Sequence, residues 1–492
     1  MSTFALWRLF HRPAPVASRT GVRGSDSADS TTMLAVFAFA AATAIFLTVL
    51  GGLHGFIWRA SPDHTIACLL DESHCSATAL AAHKHVIATS AAAADQANYA
   101  STYIMLALFA CLLLLVPFAA LAGSAARLAA SRRDARLAAL RLAGATTSQV
   151  VRLTAFDSAL QALGGALIGI AGYFALMPLI MLLTFQNQHF TFAQLWVGPV
   201  ALVATVAGVT LLALLSALLT LRRVAITPLG VSARQGQPLP SKIRLLIFAV
   251  AVIGALAILS NMQLINAGTG AMIAIIFGLV IGCFALINLV GSFAVTIRAR
   301  SRARRPKNAA TMIAMRRILD NPKRAWRNVS GIGLAVFIAG ITSVCALFGS
   351  LASGDPNSAD VIMMRDIGTG GLLTLAFAGV LAAVSSGVMQ SASVIDQSNE
   401  YNMLVLEGTD EATLRKARFQ EVLTPLNTVV LLAGICSLLL LAPLVGNAFT
   451  QPGPLISFVG GVALCYALVL VGAVAANRTA ARLACVTARA DD

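Results

Sequence analysis

The stretch Ala130–Leu160, ASRRDARLAALRLAGATTSQVVRLTAFDSAL, sets five arginines between two long apolar runs, at about 101–122 and 157–184. Arg132, Arg133, Arg136 and Arg141 alternate with Leu137, Leu140 and Leu142, so a helix here is both amphipathic and basic. Gly144 permits a sharp helix end. Thr146, Thr147 or Ser148 can then cap the next helix. The segment therefore reads as a short helix, a turn, and a second helix that runs on into an apolar span. A membrane-surface helix with snorkelling arginines is the competing reading.

Working outward, apolar runs of membrane-spanning length recur at about 33–55, 101–122, 157–184, 195–221, 245–264, 271–297, 329–353, 368–390, 422–446 and 456–476. Hydropathy alone draws this ten-span layout, and charge checks it independently. Segments on one side hold 4, 6, 5, 11, 3 and 3 of the 35 Lys and Arg residues, whereas the other side holds only Arg59, Lys84 and Arg365. Cationic loops are poorly exported, so the arginine-rich side and both termini are expected in the cytoplasm. The first span lacks an obvious cleavage site and reads as a retained anchor. The expected fold is an all-α polytopic membrane protein, in the plasma membrane of a bacterium.

Composition excludes several function classes. A mean hydropathy of +0.82 with 11% charged residues rules out a soluble globular protein. The net charge of +15 borders apolar spans, where it suits membrane lipids or a cytoplasmic partner rather than nucleic acid. None of the five lysines follows a glycine, so the phosphate-cradling G-x-x-x-x-G-K-[ST] loop is absent. Acidic residues and histidines are nearly missing from the middle of the spans, which disfavours an ion-coupled carrier. No catalytic constellation stands out; the chain is not expected to be an enzyme.

The chain also repeats itself in order. WRLFHRP (Trp7–Pro13) matches RRILDNP (Arg316–Pro322), each reading as a short amphipathic helix broken near proline. RLAGATTSQVVRLTAFD (Arg141–Asp157) matches VLEGTDEATLRKARFQE (Val405–Glu421), with Gly144 over Gly408 and Asp157 over Glu421. In the second copy Glu400, Glu407, Asp410 and Glu411 make the segment acidic, while Leu404, Leu406 and Leu414 keep it apolar. A shared shape with different charge suits protein docking better than lipid contact. Two parallel four-span modules result, 1–223 and 308–492, with 224–307 as a linker and a two-span hairpin. The basic run at about 298–310, RARSRARRPKNA, reads as a lipid-contacting linker or a docking surface. Ile226–Lys242 reads as an irregular loop.

Gly165 with Gly169, and Gly278 with Gly282, are spaced for close helix packing. Cys111, Cys283, Cys345, Cys436, Cys465 and Cys485 read as small apolar fillers. Cys68 and Cys75 lie in the outer segment between spans 1 and 2, beside His64, His74, His83 and His85. A disulfide, free thiols and a metal or haem site all remain open for them.

The segment Leu140, Gly144, Ala145, Thr146, Gln149 and Val150 resembles the L-x-x-x-G-A-[ST]-x-x-[QE]-[VI] motif of the FtsX-like permease family, the membrane subunits of MacB-type ABC systems. The second copy keeps Leu404 and Gly408 but has Thr409 and Asp410 at the next two positions. The large extracellular domain common in that family is missing. The resemblance implies a separate cytoplasmic ABC ATPase, in two copies, which would carry ATP and Mg; this chain itself would hold no cofactor. Arg132, Arg133, Arg136, Leu137, Leu140, Arg141, Gly144, Ala145 and Thr146, with Glu400, Tyr401, Leu404, Leu406 and Gly408, would couple to that ATPase. The implied activity is mechanotransmission that exports an amphiphilic compound, or extracts it from the outer leaflet. Lipid, lipopeptide, antimicrobial peptide and haem are candidate cargoes. A non-transporting scaffold that regulates a cell-wall hydrolase or membrane sensor is the alternative.

Overall fold

The computed structural model describes residues 24–60, 100–131, 146–225, 242–261, 269–351, 358–396, 403–404, 406–445, 456, 458–467 and 470–471. Helices dominate: α1 (Gly24–Ala60), α2 (Ala100–Ser131) and α3 (Thr147–Met181) come first. A short hairpin of β1 (Thr184–Phe185) and β2 (Gln188–His189) and the one-turn helix α4 (Phe192–Leu195) follow. Then come α5 (Gly198–Ala225), α6 (Lys242–Ser260), α7 (Thr269–Arg304), α8 (Ala309–Asp320), α9 (Pro322–Leu351), α10 (Ala359–Asp396), α11 (Glu411–Val445) and α12 (Phe458–Ala467).

Among the described residues, seven helices are long and apolar enough to cross a membrane. Three shorter apolar helices, Ala100–Leu115, Leu246–Ser260 and Phe458–Ala467, fall where spans 2, 5 and 10 are expected. In hydrocarbon every backbone N–H and C=O must be satisfied within the segment, which is why such runs fold as helices. The chain is an all-α polytopic membrane protein.

The helices form an N-terminal group, α1–α5, and a C-terminal group, α7–α12. In each, the first long helix is the hub: α1 packs on α2 and α3, while α9 packs on α10 and α11. Burial agrees, since 56% of the apolar window of α1 and 67% of that of α9 lie inside the bundle, against 22% for the span containing α5. The groups meet mainly through α10, which lies against α2 and α1. One buried cluster runs through both groups, from Phe39 and Leu121 to Phe337, Leu381 and Leu426.

Of the two glycine pairs, only the first brings helices close. A Cβ on Gly165 would stand 2.5 Å from Phe39 Cβ, and one on Gly169 2.6 Å from Thr43 Cβ. Those glycines let α3 lie directly on α1. The expectation for Gly278 and Gly282 is corrected: among the described residues, a Cβ added at either would meet nothing within 4 Å. Cys111, Cys283, Cys436 and Cys465 are free thiols, the last three buried.

RRILDNP (Arg316–Pro322) behaves as its pattern predicts. Helix α8 buries Ala310, Ala314, Met315 and Ile318 on one face and exposes Arg316 and Asp320 on the other. Asn321 ends it and caps the next helix, its Oδ1 accepting the Arg324 N–H at 3.1 Å. Pro322 opens α9, where its missing N–H has no cost. The matching Trp7–Pro13 lies outside the described residues, as does most of Ile226–Lys242. The basic run after span 6 is largely helical, since α7 continues to Arg304.

Candidate functional site

At the arginine-poor end of the bundle, the connector between α3 and α5 folds back over α1. The hairpin turn is Gln186-Asn187, with φ of 56° and 57°, between the paired residues Phe185 and Gln188. Two residues at positive φ define the tight turn whose twist suits a two-residue hairpin. Asparagine tolerates that conformation; glutamine is an unusual occupant and needs local support. Arg59, at the end of α1, supplies it. Its side chain is 2% exposed. Nη1 donates to Phe185 O at 2.8 Å and Gln186 Oε1 at 3.1 Å. Nη2 donates to His189 O at 3.1 Å and, at longer range, to Gln188 O and Gln194 Oε1. The guanidinium also lies 4.3 Å from the centre of the Phe190 ring. Its planar fork pins the hairpin on both strands.

The hairpin tip reaches the C-terminal helix group. Gln186 N–H donates to Asp366 Oδ2 on α10 at 2.6 Å, and Arg365 donates to Asn187 Oδ1 at 2.8 Å. From α2, the Tyr103 hydroxyl donates to the same Asp366 Oδ2 at 2.8 Å. Asp366 is thus a junction, 4% exposed, between the two groups. Phe56 stacks on Tyr103 and meets Phe185 and Phe190 edge-on, which seals the apolar side of this cluster.

Directly beneath lies a cavity of about 140 Å³, walled by α1 and α2 on one side and α9 and α10 on the other. Its lining is apolar, with Leu53, Leu113, Ile341 and Phe377 among the walls and Tyr103, Phe185 and Asp366 at the polar end. The hydroxyls in the walls are spent on their own helices. Thr48 donates to Ala44 O, Thr342 to Ala339 O and Thr374 to Gly370 O, at 2.8, 3.1 and 2.8 Å. A cavity so lined favours apolar matter over water.

At the opposite, arginine-rich end, the expected coupling motif is partly described. Thr146 is the N-cap of α3: its hydroxyl accepts the Gln149 N–H at 3.3 Å, and Gln149 Oε1 accepts the Thr146 N–H at 3.0 Å. That reciprocal capping box satisfies two otherwise orphaned donors. In the second copy, Gly408 has φ +86° and Thr409 N–H donates to Leu404 O at 3.0 Å. This is a helix terminated through a left-handed glycine, as the alignment of Gly408 with Gly144 implies. Leu406 is 87% exposed beside it. Arg132, Arg133, Arg136, Leu137, Leu140, Arg141, Gly144 and Ala145, with Glu400 and Tyr401, lie outside the described residues. So do Cys68 and Cys75.

Residues 107–229 match the family model for the FtsX-like permease C-terminal domain. The match covers most of α2 and all of α3 and α5, and with them the Gly144-Ala145-Thr146 motif. Over that quarter of the chain the sequence is similar to FtsX-like permeases, and the long apolar helices around it are those of a membrane protein. Neither the curated proteins nor the solved structures contain a match.

Arg59, Tyr103, Gln186 and Asp366 are the functional candidates that hydropathy and charge overlook. Arg59 and Arg365 look like residues at the aqueous border, and nothing local distinguishes a buried arginine there from a solvated one. One signal was available. TFQNQHF (Thr184–Phe190) sets a two-residue polar turn between β-prone residues, which is a hairpin pattern.

Proposed function

We propose that this chain is the permease subunit of an ABC transporter, coupling ATP hydrolysis in a separate cytoplasmic ATPase to export or outer-leaflet extraction of an amphiphile. Helices α1–α5 act as one FtsX-like module, 1–223, and α8–α12 as the other, 308–492, with the arginine-rich end in the cytoplasm of a bacterial cell. The observation that carries this reading is the apolar cavity between the groups, at the end opposite the coupling motif.

The mechanism follows from stiffness. ATPase closure presses on the segment around Arg132–Leu142 and on the Leu404–Gly408 turn. There Leu406 offers an apolar side chain in a setting otherwise fit for water. Thr146 ties the first of these segments into α3, so a push there moves a continuous helix 35 residues long. Both hubs, α1 and α9, then shift at the far end, where α10 joins the two groups. Moving the groups apart opens the cavity; moving them together expels its contents. Neither movement requires a polar channel through the bilayer.

Co-purification tests this. Wild type should retain its ATPase, while Leu406→Asp combined with Arg136→Glu should lose it without loss of folding. If neither form holds an ATPase when the two are co-expressed, the permease-subunit reading is wrong.

A further inference from the structure

The cavity has a chemical preference that its apolar walls alone do not set. Asp366 is the single charged residue among the described ones that line it; Arg59 and Arg365 do not. Both hydrogen bonds that Asp366 receives, from Tyr103 and from Gln186, fall on Oδ2. Among the described residues, none donates to Oδ1. Asp366 is only 4% exposed as a residue, yet Oδ1 is not a fully enclosed oxygen and keeps access to the space that Asp366 lines. A carboxylate oxygen open to an apolar cavity is best satisfied by a donor that enters that cavity. The wall hydroxylic groups cannot supply it, because Thr48, Thr342 and Thr374 are bonded back to their own helices. The Arg59 guanidinium is engaged by the hairpin carbonyls and Gln194.

We propose that Asp366 Oδ1 is the head-group receptor of this cavity, for an amphiphile whose head donates hydrogen bonds and whose slender tail lies along α1, α2 and α10. This rests on the permease reading above and names the substrate class of the same site. A hydroxyl or ammonium head satisfies Oδ1. A carboxylate or phosphate head brings a like charge and no donor, and is excluded.

The test uses the purified full-length chain and native mass spectrometry, with dodecylamine, dodecanol and dodecanoate as probes. Wild type should retain the amine and the alcohol at least about tenfold better than the carboxylate. Asp366→Asn should abolish that preference while still retaining chains. Thr374→Trp, which fills the cavity from α10, should release all three probes. Unfolding temperatures are compared to verify that each variant is folded. Should Asp366→Asn fail to fold, the wild-type ranking of the three heads decides the matter alone. Equal retention of all three probes by wild type overturns the head-group assignment and leaves the cavity reading standing. Retention that Thr374→Trp does not affect, or no retention by wild type, overturns the cavity reading itself.

Discussion

Arginine is used in opposite ways at the two ends of this bundle. At one end Arg59 is buried under a hairpin, with its donors directed at carbonyl and amide oxygens. At the other, Arg300, Arg304, Arg305, Lys307, Arg316, Lys323 and Arg327 are all exposed, in a stretch whose acidic residue is Asp320. The second set dominates the net charge; the first controls the structure. What a cation contributes depends on which partners its removal would strand. Exposed cations strand nothing, because water replaces them. The sharpest break of this contrast is Arg59→Met. Several buried oxygens would each lose a charged donor, at about 1–3 kcal/mol apiece, so a total loss of at least about 3 kcal/mol is expected. Thermal unfolding of the purified protein measures it. Arg59→Lys should recover only part, since an ammonium cannot span both strands of the hairpin.

The next test contrasts two glycine pairs with the same spacing. Gly169→Leu drives a side chain into Thr43 and the Ala40 carbonyl, whose oxygen a Cβ would approach to 2.8 Å. Backbone cannot yield cheaply there, so the loss should lie in the upper part of the ~1–3 kcal/mol range for overpacking. Gly278→Leu meets open space and should change stability by under about 0.5 kcal/mol. Equal effects at the two sites would mean that α3 and α7 are packed alike, contrary to the arrangement of α1 and α3.

These pairs show why some of the molecule was readable from its sequence and some was not. Span positions depend on local composition, so seven of the ten expected spans appear as helices long enough to cross a membrane, and shorter apolar helices lie at the other three. Helix punctuation is local too. Thr146 and Gly408 each needed only neighbours within five residues, and both took the expected roles. Packing is not local. Whether Gly165 or Gly278 faces a helix depends on which elements arrive opposite it, and the G-x-x-x-G spacing is the same in either case. The polar junction is harder still. Tyr103 and Asp366 are 263 residues apart, and Gln186 reaches Asp366 across 180. Nothing in the composition of any one segment announces that meeting.

Smaller effects refine the contrast between the ends. Tyr103→Phe removes one donor from Asp366 but leaves the Gln186 N–H in place. A loss near about 1.5 kcal/mol is expected, the low end for a hydrogen bond to a charged group. At the arginine-rich end, Thr146→Ala removes the capping box of an exposed helix start, for about 1 kcal/mol. The first variant should leave ATPase recovery intact. On the proposed coupling the second should lower it, because Thr146 caps α3 just after the Arg132–Leu142 segment.

Arg304→Gln should give the smallest change. Arg304 is in the last turn of α7, where it favours the helix dipole, but it is exposed and solvated. Alone it should alter unfolding by less than about 0.5 kcal/mol in a neutral detergent. Its weight should appear only in company and only against anionic lipid. Ile297 is exposed, and Arg300 and Arg304 follow on the same side of α7 within two turns. In the expected span layout those turns lie beyond the hydrocarbon, and there each Arg beside an anionic surface would be worth about 1 kcal/mol. Replacing Arg300, Arg304 and Arg305 together by Gln should therefore destabilise the protein in nanodiscs of phosphatidylglycerol and leave it unchanged in phosphatidylcholine. The difference should shrink as salt is raised. A single Arg304→Gln as damaging in neutral detergent as Arg59→Met would end the distinction between the two ends. It would place a buried partner for Arg304 where only solvent and lipid are expected.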